Sequence, residues 1–493
     1  MGRFVPLLAS LGFLLPFSIN ASPLEKRAAL DTCLITAGIP IFTSGSGDYT
    51  QALKPFNLRI TFKPAAYAVP KTVKHIQDAV ACGATNGIPV TAKSGGHSYA
   101  SHGLGGEDGH LIVDMRNFKD VVVDQTAKTA VIGTGGRLGD VATSLYNQGK
   151  QAIAHGTCPG VGVGGLTLHG GYGLISRSKG LTLDNIIEAT VVLANSTVVT
   201  ASATQNPDLF WALRGAGAAF GIVTNFKFKT FTAPESNVVF NYYVSPSSAA
   251  ALSQIINAMQ DFTINRQPPE LNMRLFLSSF TTFSGVYYGT RADFDKIMQP
   301  LLQKMGLSNP GGSVSTNGWL NTLTSFSNGP LPQAANYDTH ETFFSKSLMP
   351  DYLNPQAVDA LSNYWNANAR NNQRQWYLLF DCHGGNNSAI SSVAGDATAY
   401  AHRNATFKMQ FYDRVASGNY DSSWFPFLNN WVAAIQNASP GVNFGMYINY
   451  ADSSLSKADA HSSYWLKNYE RLVQVKTMYD PKKTFEGPQL VGS

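Results

Sequence analysis

Two glycine-rich segments each carry one side chain that could act as a nucleophile. Residues 94–98 have the sequence SGGHS and contain His97, and residues 156–173 have the sequence GTCPGVGVGGLTLHGGYG and contain Cys158. Glycine lets the backbone adopt a positive φ and approach a ligand closely, so both segments could present N–H groups to a pyrophosphate. Neither segment matches the Rossmann or Walker spacing, and two tight turns would explain the glycines equally well. The presence of His97 and Cys158 among residues too small to cover them favours a chemical role.

Zinc binding is the competing use of a histidine and a cysteine. A zinc site needs four protein ligands, or three and a water molecule, and the ligands usually occur in short pairs such as C-x-x-C or H-x-x-x-H. Neither glycine-rich segment offers a second close ligand at such a spacing. We therefore expect no metal site.

The composition favours a globular enzyme. The chain has 493 residues, which is enough for two or three domains with a large buried core. Only 14% of the residues are charged, 11% are aromatic, and the formal net charge is +5. No Lys/Arg-rich run occurs, so we expect no nucleic-acid partner. No apolar run after the N-terminal segment is long enough to span a bilayer, so we expect no membrane anchor.

The N-terminus has the layout of a secretory signal peptide. Residues 1–21 contain one early arginine, an apolar run and small residues after it. The following residues 22–27 end in Lys26-Arg27 and form a possible pro-segment, so the mature chain would start near Ala28 and be secreted. Four sequons fit an extracellular route as glycosylation candidates, although an unused surface asparagine explains any one of them: Asn195, Asn386, Asn404 and Asn437.

The sequence around the four cysteines does not indicate two disulfides. Cys33 lies in a short N-terminal segment and Cys82 near the end of a predicted helix, so a disulfide between them could tie the terminus down. Cys382 lies in the apolar run WYLLFDCHGG, where a buried structural thiol is expected. Cys158 is then left unpaired, and a lone thiol in a secreted chain needs a reason.

The hydrophobic pattern divides the chain into regions. Residues 59–95 predict a strand, a helix after Pro70 and a second strand, and further β-rich runs follow to residue 232, including a hairpin at Asn195-Ser196. Residues 233–440 alternate strands with amphipathic helices, which is typical of a separate α+β domain. The last fifty residues predict one more strand, FGMYINYAD, and a helix, SSYWLKNYERLVQVKTMY.

The chain resembles a known flavoenzyme family along almost all of its mature length. The motifs that carry the resemblance occur in this order: KSGGHSYAS, GGEDGHLIVDM, HGTCPGVGVGG, HGGYG, GLTLDN, NPDLFWALRGAG, FGIVTNF, DCHGG, AYAHR, QFYDR and MYINYADSSL. They are similar to those of fungal carbohydrate oxidases of the glucooligosaccharide oxidase type. That type is a branch of the berberine bridge enzyme-like flavoproteins in the vanillyl-alcohol oxidase superfamily.

The resemblance implies a fold and a cofactor. The fold would be α+β, with a two-part FAD-binding domain of the vanillyl-alcohol oxidase (PCMH) type at 28–232, an inserted antiparallel-sheet substrate domain at 233–440, and a C-terminal segment at 441–493 that completes the first domain and the active site. FAD would be held by two covalent bonds, from His97 to its 8α-methyl group and from Cys158 to C6. The other cofactor-binding residues implied are Ser94, Gly95, Gly96, Ser98, Val161, Gly162 and Gly165.

The resemblance also implies the chemistry. The enzyme would oxidise the anomeric C1 hydroxyl of an oligosaccharide to a lactone, with Tyr450 as the base and Asp381 helping to organise proton transfer. A phenol has an ordinary pKa near 10, so such a base needs assistance from its site. The sugar would be lined by a further set of residues: Tyr99, Arg274, Tyr377, Gln410 and Tyr447.

Two positions depart from the glucooligosaccharide oxidase pattern. The strand before His-Gly-Gly keeps an aromatic residue at Tyr377 but has Leu379 in place of a glutamine, and Phe276 replaces an acid. The loss of two hydrogen-bonding groups leaves the preferred sugar open, because a site discriminates best through the hydroxyls that it binds.

The electron acceptor is assigned by the same resemblance. Valine at the third position after the cysteine goes with oxidases, and Val161 occupies it here, so O2 and hydrogen peroxide are expected. The alternatives are a dehydrogenase, an oxidase of a non-sugar alcohol, or a sugar-binding flavoprotein that has lost catalysis. The last would bind oligosaccharides without bleaching the flavin. We expect a monomer.

Overall fold

The structure is a computed structural model that describes Gly2, residues 23–327 and residues 329–492. Apart from Gly2, the predicted signal peptide at 1–21 lies outside the described residues. Residues 23–27 of the possible pro-segment begin the first helix, α1 (Pro23–Thr36). Helices and largely antiparallel sheets are both abundant, so the fold is α+β, as the sequence predicts.

The first half of the chain forms two main sheets. A four-stranded sheet has the order β1-β2-β4-β3, in which β2, β3 and β4 are parallel, and a five-stranded antiparallel sheet has the order β5-β6-β10-β8-β9. Strands β7 and β11 pair with each other. The strand bounds are β1 (Ile41–Phe42), β2 (Ala66–Ala68), β3 (Val90–Lys93), β4 (Leu111–Asp114), β5 (Val121–Asp124), β6 (Thr129–Gly133), β7 (Gln151–Ala152), β8 (Ile186–Val192), β9 (Val198–Ser202), β10 (Ile222–Lys229) and β11 (Phe231–Thr232).

Helices cover these sheets and end at residues that suit their caps. The helix predicted after Pro70 begins after Thr72, whose hydroxyl accepts from His75 N–H, and ends before Gly87 at a φ of 60°. This helix is α3 (Val73–Asn86), and the other helices of this half that follow α1 are α2 (Gly47–Ala52), α4 (Leu138–Asn147), α5 (Val163–Leu168), α6 (Ser176–Lys179) and α7 (Pro207–Ala216). The predicted disulfide between Cys33 and Cys82 is present and joins α1 to α3.

The second half is built on a seven-stranded antiparallel sheet. Its order is β15-β12-β14-β13-β17-β18-β16. The strands are β12 (Asn237–Val244), β13 (Leu271–Leu277), β14 (Thr281–Tyr287), β15 (Gly312–Asn317), β16 (Thr342–Leu348), β17 (Gln375–Cys382) and β18 (Phe407–Val415). The helices are α8 (Ala249–Asn265), α9 (Arg291–Lys304), α10 (Trp319–Ser327), α11 (Pro355–Tyr364) and α12 (Phe425–Asn437).

The two faces of this sheet differ because side chains alternate along a strand. On β17, Leu378 and Phe380 face an apolar core that includes residues of α8, α9, α11 and α12. Asp381 and its i−2 and i−4 neighbours, Leu379 and Tyr377, face the other way. The polar and aromatic face is therefore the one on which a site can form.

The C-terminal segment returns to the first half. Its helices are α13 (Lys457–Tyr464) and α14 (Tyr469–Tyr479), where the sequence predicted a single helix from 462. Trp465 and Val475 share a buried core with Phe226 of β10, and Val491 near the end of the chain is also part of it. The completion of the first domain by this segment and the exact domain boundaries stay predictions.

The strand predicted at FGMYINYAD does not form. Residues 444–452 contain instead a 3₁₀ turn at Ile448–Tyr450, preceded by Gly445 at a φ of 69°. Tyr447, just before the turn, and Tyr450, at its end, pack edge to face with ring centroids 5.2 Å apart. The alternation of apolar and polar residues here reflects a tight turn that directs Tyr450 toward the polar sheet face.

Candidate active site

The two glycine-rich segments contact each other through their backbones. A Cβ atom at Gly95 or at Gly162 would overlap the backbone of the other residue, so only glycine permits this approach. Arg137 ties the segments together, because its guanidinium donates to the carbonyl of Gly95 at 3.0 Å and to that of Gly160. His97 and Cys158 are thereby fixed on neighbouring loops.

His97 is held as a neutral imidazole. Its ring stacks on Phe56 with centroids 3.8 Å apart, and a 2.8 Å hydrogen bond joins Nε2 to Tyr337 Oη. Burial, together with the nearby charge of Arg137, lowers the pKa of His97 to about 3. A neutral imidazole has one N–H and one lone pair, so in the tautomer in which Nε2 donates its proton to Tyr337 Oη the lone pair lies on Nδ1, which is then the nitrogen available for bonding.

Cys158 is a free and exposed thiol. Desolvation by the surrounding protein raises the pKa of the Cys158 thiol. This effect outweighs the lowering of the pKa by the N–H groups of Gly160 and Val161. The thiol is therefore accessible without being a preformed thiolate. The remaining free cysteine, Cys382, is buried as the sequence predicts, with its Sγ 3.2 Å from Thr263 Oγ1.

The segment around Cys158 fits a large polar ligand. Three buried side-chain atoms on it have no hydrogen-bond partner: His155 Nε2, Thr167 Oγ1 and His169 Nε2. A Cβ atom added to Gly165 would meet nothing within 4 Å. Unsatisfied polar atoms and open space on one glycine-rich segment are what a bound dinucleotide would fill.

The other residues predicted to bind the cofactor lie on the same loops. Ser94 Oγ donates to the Thr134 carbonyl at 2.6 Å and accepts from Gly164 N–H at 3.3 Å, and Ser98 Oγ accepts from His102 N–H at 3.0 Å. Gly96 adopts a φ of 71°, and Val161 is half-buried against the core. These contacts show how the loops are shaped, and the binding role of each residue stays a prediction.

A buried lysine connects the two residues predicted to be catalytic. Lys408 Nζ donates to Tyr450 Oη at 2.8 Å and to Asp381 Oδ2 at 2.6 Å, and Arg274 Nε donates to Asp381 Oδ1 at 2.7 Å. The strand register explains the arrangement, because Arg274 pairs with Asp381 and Asp381 pairs with Lys408 across β13, β17 and β18. Asp381 thus reaches Tyr450 through Lys408 and does not contact it directly.

The charges in this cluster are fixed by their neighbours. Burial alone would raise the pKa of Asp381, but Arg274 and Lys408 hold it at about 2. Burial alone would lower the pKa of Lys408, but Asp381 and Tyr450 raise it above its ordinary value. At neutral pH the cluster therefore contains a carboxylate and two cations, one of which faces Tyr450.

Three of the predicted sugar-lining residues form one hydrogen-bonded group beside Tyr450. Gln410 Nε2 donates to Tyr99 Oη at 2.9 Å and to Tyr377 Oη at 3.1 Å. The Tyr99 ring stacks on Tyr450 with centroids 5.5 Å apart. Burial raises the pKa of Tyr99 and Tyr377 well above the usual tyrosine value, so both hydroxyls stay protonated.

Tyr447, which the resemblance places at the sugar site, is hydrogen-bonded within the protein. Its side chain is buried, and its hydroxyl accepts from Gly171 N–H at 2.9 Å and from Asn449 Nδ2 at 3.0 Å. It positions the HGGYG turn and supports the Tyr450 ring. A direct contact of Tyr447 with substrate stays a prediction.

Lys408 is the functional candidate that sequence reasoning missed. It lies in TFKMQFYDR, two residues before Gln410, so strand alternation places both side chains on one sheet face. A lysine between apolar residues of a predicted buried strand is costly unless it is paired. That pattern was available in the sequence as a signal.

Across 23–327 and 329–492, no cluster of three or more His, Cys, Asp or Glu side chains is arranged to hold a metal ion. Within the same residues, no helix combines the length and apolar character needed to cross a membrane. The four sequon asparagines are all exposed.

Two protein-family models match separate segments of the chain. A family model described as "FAD binding domain" matches residues 64–202, and one described as "Berberine and berberine like" matches residues 446–491. The first match contains both glycine-rich segments, and the second contains Tyr450.

Relatives match the chain over nearly its whole length. A xylooligosaccharide oxidase of Thermothelomyces thermophilus is 42% identical, with 97% of this chain and 99% of the relative covered. The solved structure of a xylooligosaccharide oxidase from Myceliophthora thermophila C1 in complex with xylobiose has a TM-score of 0.91 and 42% identity, and covers 94% of this chain and 99% of that one. A glucooligosaccharide oxidase from Acremonium strictum, whose structure concerns a 6-S-cysteinyl, 8α-N1-histidyl FAD, has a TM-score of 0.90 and 39% identity, and covers 94% of this chain and 99% of that one.

Proposed function

The chain belongs to the FAD-dependent oligosaccharide oxidases of the berberine bridge enzyme-like family, and from this premise we propose that it oxidises the C1 hydroxyl of an oligosaccharide to the lactone. The observation that carries the proposal is the hydrogen bond from buried Lys408 to Tyr450, on the sheet face that adjoins the His97 and Cys158 loops. The related xylooligosaccharide and glucooligosaccharide oxidases support the substrate class.

FAD is the cofactor, and we infer two covalent attachments, at His97 and at Cys158. The neutral imidazole with Nδ1 available, the accessible free thiol and the unsatisfied polar atoms of the Cys158 segment support this assignment. When bound, FAD would supply an acceptor for the hydride of C1. Attachment fits an enzyme that works where free FAD is scarce.

Tyr450 takes the proton of the C1 hydroxyl. For this step Tyr450 must first have given up its own proton, and the ammonium of Lys408, 2.8 Å from Tyr450 Oη, stabilises the phenolate that then takes the C1 proton. Lys408 can only donate hydrogen bonds, so a lone pair of Tyr450 Oη remains available for the substrate proton. Asp381 and Arg274 are positioning residues, because they fix the Lys408 side chain and act on Tyr450 only through it.

Tyr99 and Gln410 orient the first sugar ring. Their side chains are linked to each other and to Tyr377, so they present a preset group of donors and acceptors next to Tyr450. Preorganised groups lose little entropy when the ring binds and hold C1 in a reactive position.

We propose O2 as the acceptor and hydrogen peroxide as the product, with Val161 beside Cys158 controlling the approach of oxygen. We also propose that the protein is secreted, glycosylated and monomeric. The composition of residues 1–21, the Cys33–Cys82 disulfide and the exposure of Asn195, Asn386, Asn404 and Asn437 support secretion.

The substitution Tyr450→Phe tests the proposed base. We expect kcat for cellobiose to fall by about 10²–10⁴-fold, because general-base catalysis contributes that much, while the covalent flavin is retained. Peroxide formation under air and reduction of a dye under argon would be measured on the same preparations. A fully active Tyr450→Phe variant would reject Tyr450 as the base. Wild-type turnover with the dye but not with O2 would replace the oxidase assignment by a dehydrogenase.

A further inference from the structure

One tyrosine from the second half of the chain reaches the histidine that is proposed to bond the flavin. Tyr337 lies between α10 and β16, and a 2.8 Å hydrogen bond joins its Oη to His97 Nε2. Phe56 stacks on the same imidazole ring with centroids 3.8 Å apart. Among the hydrogen bonds between the residues that the structure describes, the one to Tyr337 is the only one that the His97 ring makes.

The segment that carries this tyrosine is attached to the first half on both sides. Before the tyrosine, Gln333 N–H donates to Asp140 Oδ1 at 2.9 Å. After it, Glu341 N–H donates to the carbonyl of Phe56 at 2.8 Å. Phe56 therefore holds the segment through its backbone and the His97 ring through its side chain. These contacts place the tyrosine hydroxyl and the imidazole in one fixed arrangement.

The ring of Tyr337 also contacts the loop that carries Cys158. A Cβ atom at Gly160 would overlap the Tyr337 hydroxyl, so the ring lies directly on the backbone of that loop. The Arg137 guanidinium lies over the Tyr337 ring, 4.0 Å from its centroid, and donates to the carbonyls of Gly95 and Gly160. Tyr337 thus belongs to the framework that holds the two glycine-rich segments together.

The Tyr337 hydroxyl can both donate and accept a hydrogen bond. Burial raises the pKa of Tyr337 above its ordinary value, and the neighbouring Cys158 raises it further. At neutral pH the group is therefore a phenol, which accepts through its oxygen lone pairs and donates its own proton. The phenol can exchange these two roles by rotating its O–H bond, without moving the ring.

Bond formation at His97 Nδ1 requires such an exchange of roles at Nε2. Before the bond forms, the tautomer with a lone pair on Nδ1 carries its proton on Nε2 and donates it to Tyr337 Oη. A neutral ring that is substituted at Nδ1 has lost the Nε2 proton, so its Nε2 can only accept. A partner that only donates or only accepts would suit one of these two states, and a hydroxyl suits both.

We infer that Tyr337 is a positioning residue for the attachment of FAD at His97: its hydroxyl accepts from Nε2 before the bond forms, takes over the Nε2 proton, and then donates to the substituted ring. The bond to Cys158 does not involve this hydroxyl. The inference rests on the attachment at His97 that the proposed function includes.

The attachment balances in atoms and electrons. A C–N bond forms between His97 Nδ1 and the 8α carbon, while one C–H bond of that methyl group and the Nε2–H bond break. Both hydrogens leave as protons. The two electrons of the broken C–H bond stay on the cofactor until O2 accepts them and, with two protons, becomes hydrogen peroxide. Tyr337 handles the Nε2 proton only.

A cavity beside the hydrogen bond gives that proton an exit. Its volume is about 660 Å³, and His97 and Tyr337 both line it. Its other lining residues include polar and charged side chains of both signs: Asp48, Lys54, Asp140 and Thr339. A polar cavity of this size holds water. Tyr337 Oη can therefore release its own proton to water as it takes the proton of Nε2.

The substitution Tyr337→Phe removes the hydroxyl and keeps the ring. We expect the fraction of protein with flavin on His97 to fall by at least about tenfold, because a positioned proton-transfer group contributes about 10²–10⁴-fold to a rate. Cys158 should stay flavinylated, which also shows that the site has folded. Mass spectrometry of the flavin peptides measures the two residues separately and needs no turnover. Full flavinylation of both residues, or loss of flavin from both, would overturn the inference.

The Cys158→Ala background isolates the bond to His97. After acid precipitation, we expect Cys158→Ala to keep its flavin and Cys158→Ala/Tyr337→Phe to keep at least about tenfold less. The control is Tyr146→Phe in the same background, which removes a phenol hydroxyl that donates to Glu235 and should leave the attached fraction unchanged. Equal attached fractions in the two phenylalanine variants would overturn the role of Tyr337. A wild type without flavin on His97 would overturn the proposed attachment itself.

Discussion

Lys408 is the side chain on which the proposed proton transfer most depends. It is buried, contacts Tyr450 and Asp381, and has aromatic rings on several sides, with its Nζ 4.4 Å from the Tyr450 ring centroid and 4.9 Å from that of Tyr172. A cation enclosed in this way is preorganised, so it stabilises the phenolate form of Tyr450 without moving.

The substitution Lys408→Met removes this charge while keeping an unbranched side chain. We expect kcat to fall by about 10²–10³-fold, as when a preorganised electrostatic group is deleted, with the flavin still attached. Turnover and flavin absorbance after acid precipitation would be measured together. The control is Lys346→Met, which breaks the ion pair between β16 and buried Asp452, outside the Lys408 cluster, and should cost stability with a much smaller loss of kcat. Equal kcat losses in the two variants would mean that Lys408 is only structural.

Because the pKa of Asp381 is lower in the folded protein than in the unfolded chain, the free energy of unfolding depends on pH in the acidic range. The carboxyl has a pKa of about 2 in the folded protein against an ordinary value of 3.8, so the unfolded chain binds the proton more readily. This group therefore stabilises the fold above about pH 4, and the contribution of about 2 kcal/mol is lost as the pH falls through about 2. Urea unfolding between about pH 5 and pH 2 should show a smaller decline in Asp381→Asn, although that variant is less stable throughout because Lys408 and Arg274 lose their partner. Identical slopes for the two proteins would refute the assignment.

The sequence identified His97, Cys158, Tyr450 and Asp381 through motifs, but it did not identify how they connect. Lys408 was missed because its role appears only when β13, β17 and β18 are in register. Tyr447 was placed among the sugar contacts by the family resemblance, which did not indicate that its hydroxyl also accepts a hydrogen bond from the Gly171 backbone. Spacing along the chain shows which residues share a face and leaves their hydrogen-bond partners open.

At the scale of elements, the contact between the two glycine-rich loops limits what can replace their glycines. The change Gly162→Ala would put a methyl group onto the Gly95 amide and the Ser94 hydroxyl. We expect this overlap to lower stability by about 1–3 kcal/mol and to reduce the fraction of protein with attached flavin. Urea unfolding and flavin fluorescence on a denaturing gel would measure the two effects.

The matched control is Gly103→Ala, in the turn that follows the His97 loop. A Cβ atom there would lie 3.6 Å from Lys93 Cγ, which is an ordinary contact. It should leave stability and flavin attachment close to wild type. A Gly162→Ala protein as stable and as fully flavinylated as the control would show that the loops can separate freely.

Most regular elements could be predicted from the sequence because their signals are local. The helix after Pro70 has a threonine cap and a terminal glycine, and the Asn195-Ser196 hairpin joins two β-branched runs that do pair. The FGMYINYAD segment alternates in the same way and is not a strand, since Gly445 and the packing of Tyr447 and Tyr450 favour a 3₁₀ turn. A short alternating run cannot specify a strand when no neighbouring strand is available to pair with it.

At the scale of the whole molecule, one buried ion pair links the two halves. Arg403, between β17 and β18, donates to both carboxylate oxygens of Asp184 at 2.8 and 2.7 Å, and it is 1% exposed. The pair joins the segment GLTLDN to the segment AYAHR. This contact helps to fix the first half of the chain relative to the seven-stranded sheet.

The substitution Arg403→Met should lower the free energy of unfolding by about 3–5 kcal/mol, because it leaves a carboxylate without its buried partner. Adding Asp184→Asn removes that charge and keeps an acceptor for Leu181 N–H, so the double variant should recover part of the loss. Urea unfolding of the wild type and the variants would measure both effects. A double variant less stable than the single one would contradict this account.

The central claim is that FAD attached at His97 and Cys158 is reduced by an oligosaccharide in a groove that contains Tyr450 and Lys408. The most direct measurement is the absorption spectrum of the purified protein, taken before and after acid precipitation and then during addition of cellobiose under argon. We predict that the flavin remains with the precipitated protein, is released only when both His97→Ala and Cys158→Ala are combined, and bleaches when the sugar is added. A colourless protein, or a flavin that precipitation releases from the wild type, would contradict the two attachments, and an attached flavin that no oligosaccharide bleaches would contradict the proposed function.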